Sequence, residues 1–264
     1  MEIIKQLREM TGAGIVDCKK ALDEANNDLQ VAVEILRKKG IAKAAKRIDR
    51  ETNEGVVKVA VAAAAGEAYI FELTSETDFV SRNDKFQKFA DEVMDLVLSL
   101  RPENLEALLS LPMAESNVKD NLAVLSGTIG EKMEIRRFAR LHGASLAAYS
   151  HLGGKLGVLV ALDQAGKEEL AMTVAMQVAA ANPKYIEPSE VEAGELEKEK
   201  EIYREQLLKE GKPEAMIEKI LEGKVTKYYS EVCLVEQEFI KDDKKKVKDI
   251  LGGAKILGFV RFSL

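Results

Sequence analysis

The chain of 264 residues is long enough to bury a sizeable core and to divide into more than one unit. A hydrophobic content of 46% excludes wholesale disorder, and a formal charge of -6 excludes a general nucleic-acid binder, which needs a dominant basic surface. The longest apolar run, Val59 to Ala65, is too short to cross a bilayer, and the Met1 to Lys5 start lacks the apolar stretch of a signal peptide. Two cysteines, Cys18 and Cys233, could pair but give no disulfide framework or metal set. The expectation is a soluble, cytoplasmic protein with no membrane and no cofactor.

The first segment reads as three short helices. Ile3, Ile4, Leu7 and Met10 have helical spacing before the break at Thr11-Gly12-Ala13-Gly14, and Ile15, Cys18, Leu22 and Ala25 form the next stripe. Asp28 is a natural N-cap for a third helix with Leu29, Ala32, Val33 and Leu36 on one face and Gly40 placed to stop it. A charged stretch, Lys43 to Glu54, then reads as a helical or flexible linker, so residues 1–54 form an N-terminal three-helix module with its linker.

From Gly55 the period changes to that of strands. Val56–Val61 and Ala68–Leu73 read as a hairpin joined through Gly66-Glu67, followed by a helix with Phe86, Phe89, Ala90, Val93 and Val97 on one face. Leu105–Leu111 and Val118–Ile129 read as helix, and Ile135–Leu141 and Ser145–Ser150 as strands turning at His142-Gly143. Gly157–Leu162 is a further strand, followed by a helix from Glu168 to Ala181. That order echoes Ala68 to Val97 and suggests two similar halves, 55–151 and 152–264. Between Pro188 and Gly223, Glu, Lys and Leu dominate. Ser189 and Glu192 have capping-box spacing, Leu196, Tyr203 and Leu207 form one stripe, and Met216, Ile217, Ile220 and Leu221 form another beyond Gly211-Lys212-Pro213. This is a helical coiled-coil hairpin, at about 188–223. A last strand covers Ala254–Phe262. The fold class is α+β, with antiparallel sheets in a two-part core.

Signatures of catalysis are missing. No G-x-x-x-x-G-K-[ST] loop, G-x-S-x-G elbow or H-E-x-x-H helix occurs, and neither His142 nor His151 has metal-ligand neighbours in the sequence. The expectation is that the chain is not an enzyme. One loop stands out: Thr74-Ser75-Glu76-Thr77-Asp78-Phe79-Val80-Ser81, between strand and helix, where Ser81 and Asp84 can cap the helix that follows. Local packing of Phe79 and Val80 is the plain explanation. A staple from Val80 would need an apolar residue where Lys85 stands, which leaves an outward Phe79 as the alternative.

Thr77-Asp78-Phe79-Val80 with Phe86-Gln87-Lys88-Phe89-Ala90-Asp91 resembles the signature loop and helix of the elongation factor Ts family. Leu7 to Gly14 with Asp17 to Leu22 resembles that family's N-terminal module, and Tyr149-Ser150-His151 with Gly157 to Val160 matches a third stretch, all in family order. The resemblance implies a guanine-nucleotide exchange factor whose partner is elongation factor Tu in its nucleotide-free and GDP forms, without direct nucleic-acid contact, and admits a dimer or a 2:2 complex. By the same resemblance, Asp78 and Phe79, flanked by Thr77 and Val80, would enter the GTPase near its magnesium and phosphates. His151 would press near the phosphate-binding loop, and Arg8, Ile15 and Val16 would pack on a helix of the GTPase domain. Ile15 and Val16 point about 100° apart on a helix, so both cannot centre the module's own core. The three-helix module is also similar in shape to ubiquitin-associated domains, and a non-catalytic scaffold with a helix-binding module is the alternative function. Gln177 stands where some relatives carry histidine, and no role follows for it.

Overall fold

The computed structural model describes residues 2–264, with the Ala215 side chain excepted. Met1, the first residue of the charged start, lies outside the described residues. The first three helices are α1 (Glu2–Thr11), α2 (Ile15–Glu24) and α3 (Leu29–Ala45). Asp28 caps α3 as expected, its carboxylate accepting from Gln30 N at 2.9 Å and Val31 N at 3.0 Å. The module's core is Leu7, Ala13, Cys18, Ala21, Leu22, Ala25, Ala32 and Leu36. Met10 and Ile15 are exposed instead of lying in their stripes.

Gly40 does not stop α3, which continues to Ala45. It is buried against α7 (Val118–Ile129), where Gly127 approaches so closely that a methyl on Gly127 would stand 2.5 Å from the Cα of Gly40. The helical cost of glycine, about 1 kcal/mol, is offset here by backbone-to-backbone packing that joins the module to the core.

After the turns that end α3, the core contains β1 (Glu54–Ala62), β2 (Glu67–Ser75), α4 (Asp78–Ser81), α5 (Asp84–Leu100), α6 (Leu105–Ser110), β3 (Pro112–Met113), β4 (Ser116–Asn117), α7 and β5 (Met133–His142). The remainder comprises β6 (Ser145–His151), β7 (Leu156–Leu162), α8 (Glu168–Ala181), α9 (Ala193–Lys209), α10 (Glu214–Val232), β8 (Glu238–Phe239), β9 (Asp242–Lys246), α11 (Val247–Ile250) and β10 (Ile256–Ser263). Strands β1-β2-β5 form one antiparallel sheet and β10-β7-β6 a second. Each half is thus a hairpin closed by a short 3-10 turn, a helix, and a later strand that pairs with the hairpin's second strand. The echo seen in the sequence is an architectural repeat.

The two sheets lie back to back, sharing a layer of Val57, Ile70, Leu146, Leu159, Ala161 and Phe262. Tyr69, Phe71 and Leu73 on the other face of β2 pack on α5, while β7 packs its outer face on α8. The result is four layers, helix–sheet–sheet–helix, with β2 and β7 buried on both faces. His142-Gly143 is no hairpin turn: it carries the chain from the first sheet to the second, so β6 belongs with β7 and the second sheet begins at Ser145.

Glu72, on the inter-sheet side of β2, is fully buried and accepts from Arg136 Nη1 at 3.3 Å and Arg137 Nε at 2.9 Å. The Arg137 guanidinium also lies 4.3 Å from the ring centre of Phe262 and donates to the Ser263 carbonyl, tying β5 to β10. A charge buried this deeply is tolerated because two cations and an aromatic face replace its water.

The helical hairpin spans α9 and α10, reaching Val232 rather than ending at Gly223. One exposed glycine costs too little to break a helix whose far end is anchored by the buried Tyr228. Gly211 takes a positive φ of 73° in the turn, as the Gly-Lys-Pro break requires. Leu207, Ile217 and Leu221 are buried between the helices, whereas Met216 is exposed. No capping box forms: Ser189 sits in a 3-10 turn, Pro188–Glu190, and Glu192 caps α9 without a side-chain bond. At the hairpin's root Glu195 accepts from Lys184 Nζ at 2.6 Å, Tyr185 Oη at 2.7 Å and Tyr228 Oη at 2.6 Å. Among the described residues no helix is long and apolar enough to cross a membrane.

Candidate functional site

The loop singled out in the sequence becomes a tight one-turn helix, α4, between the end of β2 and the start of α5. Thr77 is its N-cap, its hydroxyl accepting from Val80 N at 3.4 Å. The cap of α5 is Asn83, accepting from Lys85 N at 2.9 Å; neither Ser81 nor Asp84 fills that role. Ser81 ends the previous turn instead, with its hydroxyl donating to Asp78 O at 3.1 Å. A one-turn helix points successive side chains about 100° apart, and here the step divides the pair: Val80 is 8% exposed and packs in the first-sheet core, whereas Phe79 is 84% exposed. Of the two sequence readings, the outward Phe79 is the one the structure contains. Asp78 beside it is half-exposed, in an i,i+4 ion pair with Arg82 at 3.2 Å.

An aromatic this exposed gains nothing from its own fold, so the rigidity of its mount matters. Thr77 donates twice to Glu131, from N to Oε2 at 3.0 Å and from Oγ1 to Oε1 at 2.7 Å. In the opposite direction Lys132 N donates to Glu76 Oε1 at 2.6 Å. Arg50, from the segment after α3, pairs with Glu76 at 3.1 Å, and Lys132 Nζ donates to Arg50 O at 2.9 Å. The Lys132 N–H, with help from Arg50, holds the Glu76 carboxyl below the usual range. The turn is therefore braced from two other parts of the chain.

His151, at the end of β6, is exposed and shares a hydrogen bond of 2.9 Å between its Nδ1 and Tyr149 Oη, with the two rings stacked at 5.8 Å. Leu152 follows with a positive φ of 51° and is 72% exposed. This turn lies at the same end of the sheets as Phe79. Lys155 pairs with Glu54, whose register partner is Ser75, and a methyl on Gly154 would meet Val56 Cγ2 at 2.6 Å.

Arg8, Ile15 and Val16 are all exposed on the N-terminal module. The turn between α1 and α2 reaches the start of α5, where a side chain on Gly12 would collide with the Lys85 ammonium. Three outward-facing segments thus border one end of the molecule: the α4 turn, the His151 turn and the start of α2. Each presents side chains to solvent.

Gln177, given no role in the sequence, is a buried structural amide. It accepts from Ile240 N at 2.9 Å and donates to Glu238 O at 3.1 Å, fastening α8 to the β8–β9 hairpin. Cys18 and Cys233 are both buried and free, and burial pushes the Cys233 thiol up to about 11. Among the described residues no cluster of three or more His, Cys, Asp and Glu side chains could hold a metal ion. Glu131 was not singled out by the sequence reading, and Tyr149 entered it only within the Tyr149-Ser150-His151 match, with no role of its own. Glu131 is one acidic residue among many, and its partner lies 54 residues away. Tyr149 stands two residues from His151, on the same face of a strand, and that spacing was the available signal.

A family model described as elongation factor TS matches residues 76–264. The match begins one residue before the α4 cap and takes in the Phe79 turn, its brace, His151 and the helical hairpin, with Arg8, Ile15 and Val16 lying before it. Covering well over half of the chain, it shows that the chain belongs to the elongation factor Ts family, translation elongation factors that exchange guanine nucleotide on elongation factor Tu.

Proposed function

We propose that the end of the molecule bearing Phe79 is the surface that opens the nucleotide site of elongation factor Tu. Phe79 wedges between elements of the GTPase that hold its magnesium side, and Asp78 bonds donors beside the wedge. His151 presses near the phosphate-binding loop, and Arg8, Ile15 and Val16 hold a helix of the GTPase domain. The observation that carries this reading is an 84%-exposed aromatic on a turn braced by paired carboxylates. A rigid aromatic gives much contact area for little lost entropy, and a fixed mount reduces the cost of ordering it on binding.

The protein makes and breaks no covalent bond in this scheme and acts in the cytoplasm. Magnesium binds nucleotide through oxygens in near-ideal geometry, so small displacements of its surroundings weaken the site. By linkage, nucleotide weakens factor binding by the ratio in which the factor weakens nucleotide binding. A coupling of about 10⁴-fold requires roughly 5.5 kcal/mol, more than one side chain supplies, which is why separate segments act together.

The test is stopped-flow release of a fluorescent GDP analogue from elongation factor Tu. The parent chain should accelerate release with a concentration dependence that saturates. Phe79→Ala should lose most of the acceleration while unfolding at the parent's denaturant midpoint. Release by Phe79→Ala at the parent rate would overturn the assignment.

A further inference from the structure

We infer that Glu131 is a positioning residue for nucleotide exchange: its carboxylate fixes the angle at which the α4 turn presents Phe79. The inference rests on the reading of Phe79 as the wedge. Glu131 follows the last residue of α7, after Gly130, whose φ of 98° ends that helix. Its own carbonyl accepts from Ser126 Oγ, so the backbone at Glu131 is itself held to α7. From that point the carboxylate accepts both the N–H and the hydroxyl of Thr77, the residue that caps α4.

A helix N-terminus leaves N–H groups without partners, and a single-turn helix has little else to keep it wound. Removing the carboxylate leaves Thr77 N–H without that partner and its hydroxyl free to rotate away from Val80 N. Val80 would still be drawn to the core by its burial. Phe79, which no packing holds, would then sample a range of directions instead of one.

Charge itself is not the requirement. A glutamine at 131 can accept the Thr77 N–H through its carbonyl and donate to Thr77 Oγ1 through its amide, because the hydroxyl both donates and accepts. A purely electrostatic role toward the partner would separate glutamine from glutamate; a positioning role would not.

The experiment measures GDP-analogue release from elongation factor Tu at saturating factor, with the full chain carrying Glu131→Ala, Glu131→Gln, Phe79→Ala, or Glu131→Ala with Phe79→Ala. Glu131→Ala should slow the maximal rate by about tenfold, the order expected for losing a doubly hydrogen-bonded anchor. Glu131→Gln should recover most of that loss, and the double variant should be no slower than Phe79→Ala alone, since the anchor acts only through the ring it aims. Parent-like release by Glu131→Ala with slow release by Phe79→Ala would overturn the positioning role and leave the wedge standing. Parent-like release by Phe79→Ala would instead overturn the wedge and the positioning role with it. A double variant slower than Phe79→Ala by the full Glu131→Ala factor would place the effect of Glu131 elsewhere and overturn the inference. Should Glu131→Ala fail to fold, Thr77→Val removes the hydroxyl's bond to Glu131 together with its cap on Val80 N, and supports the same comparison with Phe79→Ala.

Discussion

Phe79 and Val80 are neighbours in sequence with opposite physical duties, and their separation is measurable. Val80 seats the turn in the first-sheet core; replacing it by alanine should cost about 1–3 kcal/mol of stability, as removal of buried methyl groups does. Phe79→Ala removes a side chain that is almost wholly in water and should shift stability by no more than about 0.5 kcal/mol. Urea unfolding of the two variants checks both values, and a Phe79→Ala loss as large as that of Val80→Ala would mean the ring packs on its own fold. At this scale the sequence was partly legible. The outward Phe79 was one of two readings open in the sequence, but the staple argument behind it placed the cap at Ser81, whereas Asn83 caps α5 and Val80 packs in the core. The brace was not legible, since a glutamate that accepts a distant backbone N–H has the same letter as a solvated one. Glu72 was missed for the same reason: its arginines are adjacent in space only after β2 and β5 pair.

Among the elements, the α9–α10 hairpin depends on its root. Its two helices and Gly-Pro turn were readable from composition and breakers, but its limits were not. The anchor that extends α10 to Val232 is a tyrosine whose partner, Glu195, stands 33 residues away. The Glu195 carboxyl is held at about 2, chiefly by the Lys184 ammonium and then by the Tyr228 and Tyr185 hydroxyls. A folded-state value below the ordinary one gives stabilisation that is complete above the ordinary carboxylate range and is lost as pH falls through about 2. Amide exchange at the root, corrected for intrinsic rates, should therefore quicken as acid is added across that window. Glu195→Ala should show the loosened root already at neutral pH, with proteases cutting near residues 184–195 while the strands of both sheets stay protected. Unchanged cleavage in that variant would mean the buried faces of Leu207, Ile217 and Leu221 hold the hairpin alone.

For the whole molecule, the repeat of a strand followed by a helix was visible in the order of elements, because periodicity and breakers are local; the second half's hairpin and the returning strands were not. What joins the halves was not, because a two-residue turn such as His142-Gly143 does not encode which strand will pair with the next. The attachment of the N-terminal module is likewise non-local. A glycine near the end of a helix reads as a stop, yet Gly40 is one side of a crossing with Gly127. The crossing is asymmetric: a methyl on Gly40 would find Val124 Cα at 3.4 Å, an ordinary contact, whereas one on Gly127 would meet backbone at 2.5 Å. Gly40→Ala should accordingly be neutral or stabilising, by up to about 1 kcal/mol from helix propensity. Gly127→Ala should cost about 1–3 kcal/mol through overpacking and should free the module, seen as faster proteolysis across residues 46–53. Equal tolerance of the two substitutions would show that the helices can separate without penalty.

The pairing of β10 with β7 also sets a timetable for manufacture. The first sheet has all its strands once His142 has been synthesised, but β7 ends at Leu162 and its second neighbour begins only at Ile256. At ordinary speeds of synthesis that interval lasts roughly 5–20 seconds. Throughout it the apolar strand Leu156–Leu162 has one unpaired edge and lacks the cover of Phe262. A nascent chain of this protein is thus half finished and half adhesive while the ribosome is still making its hairpin.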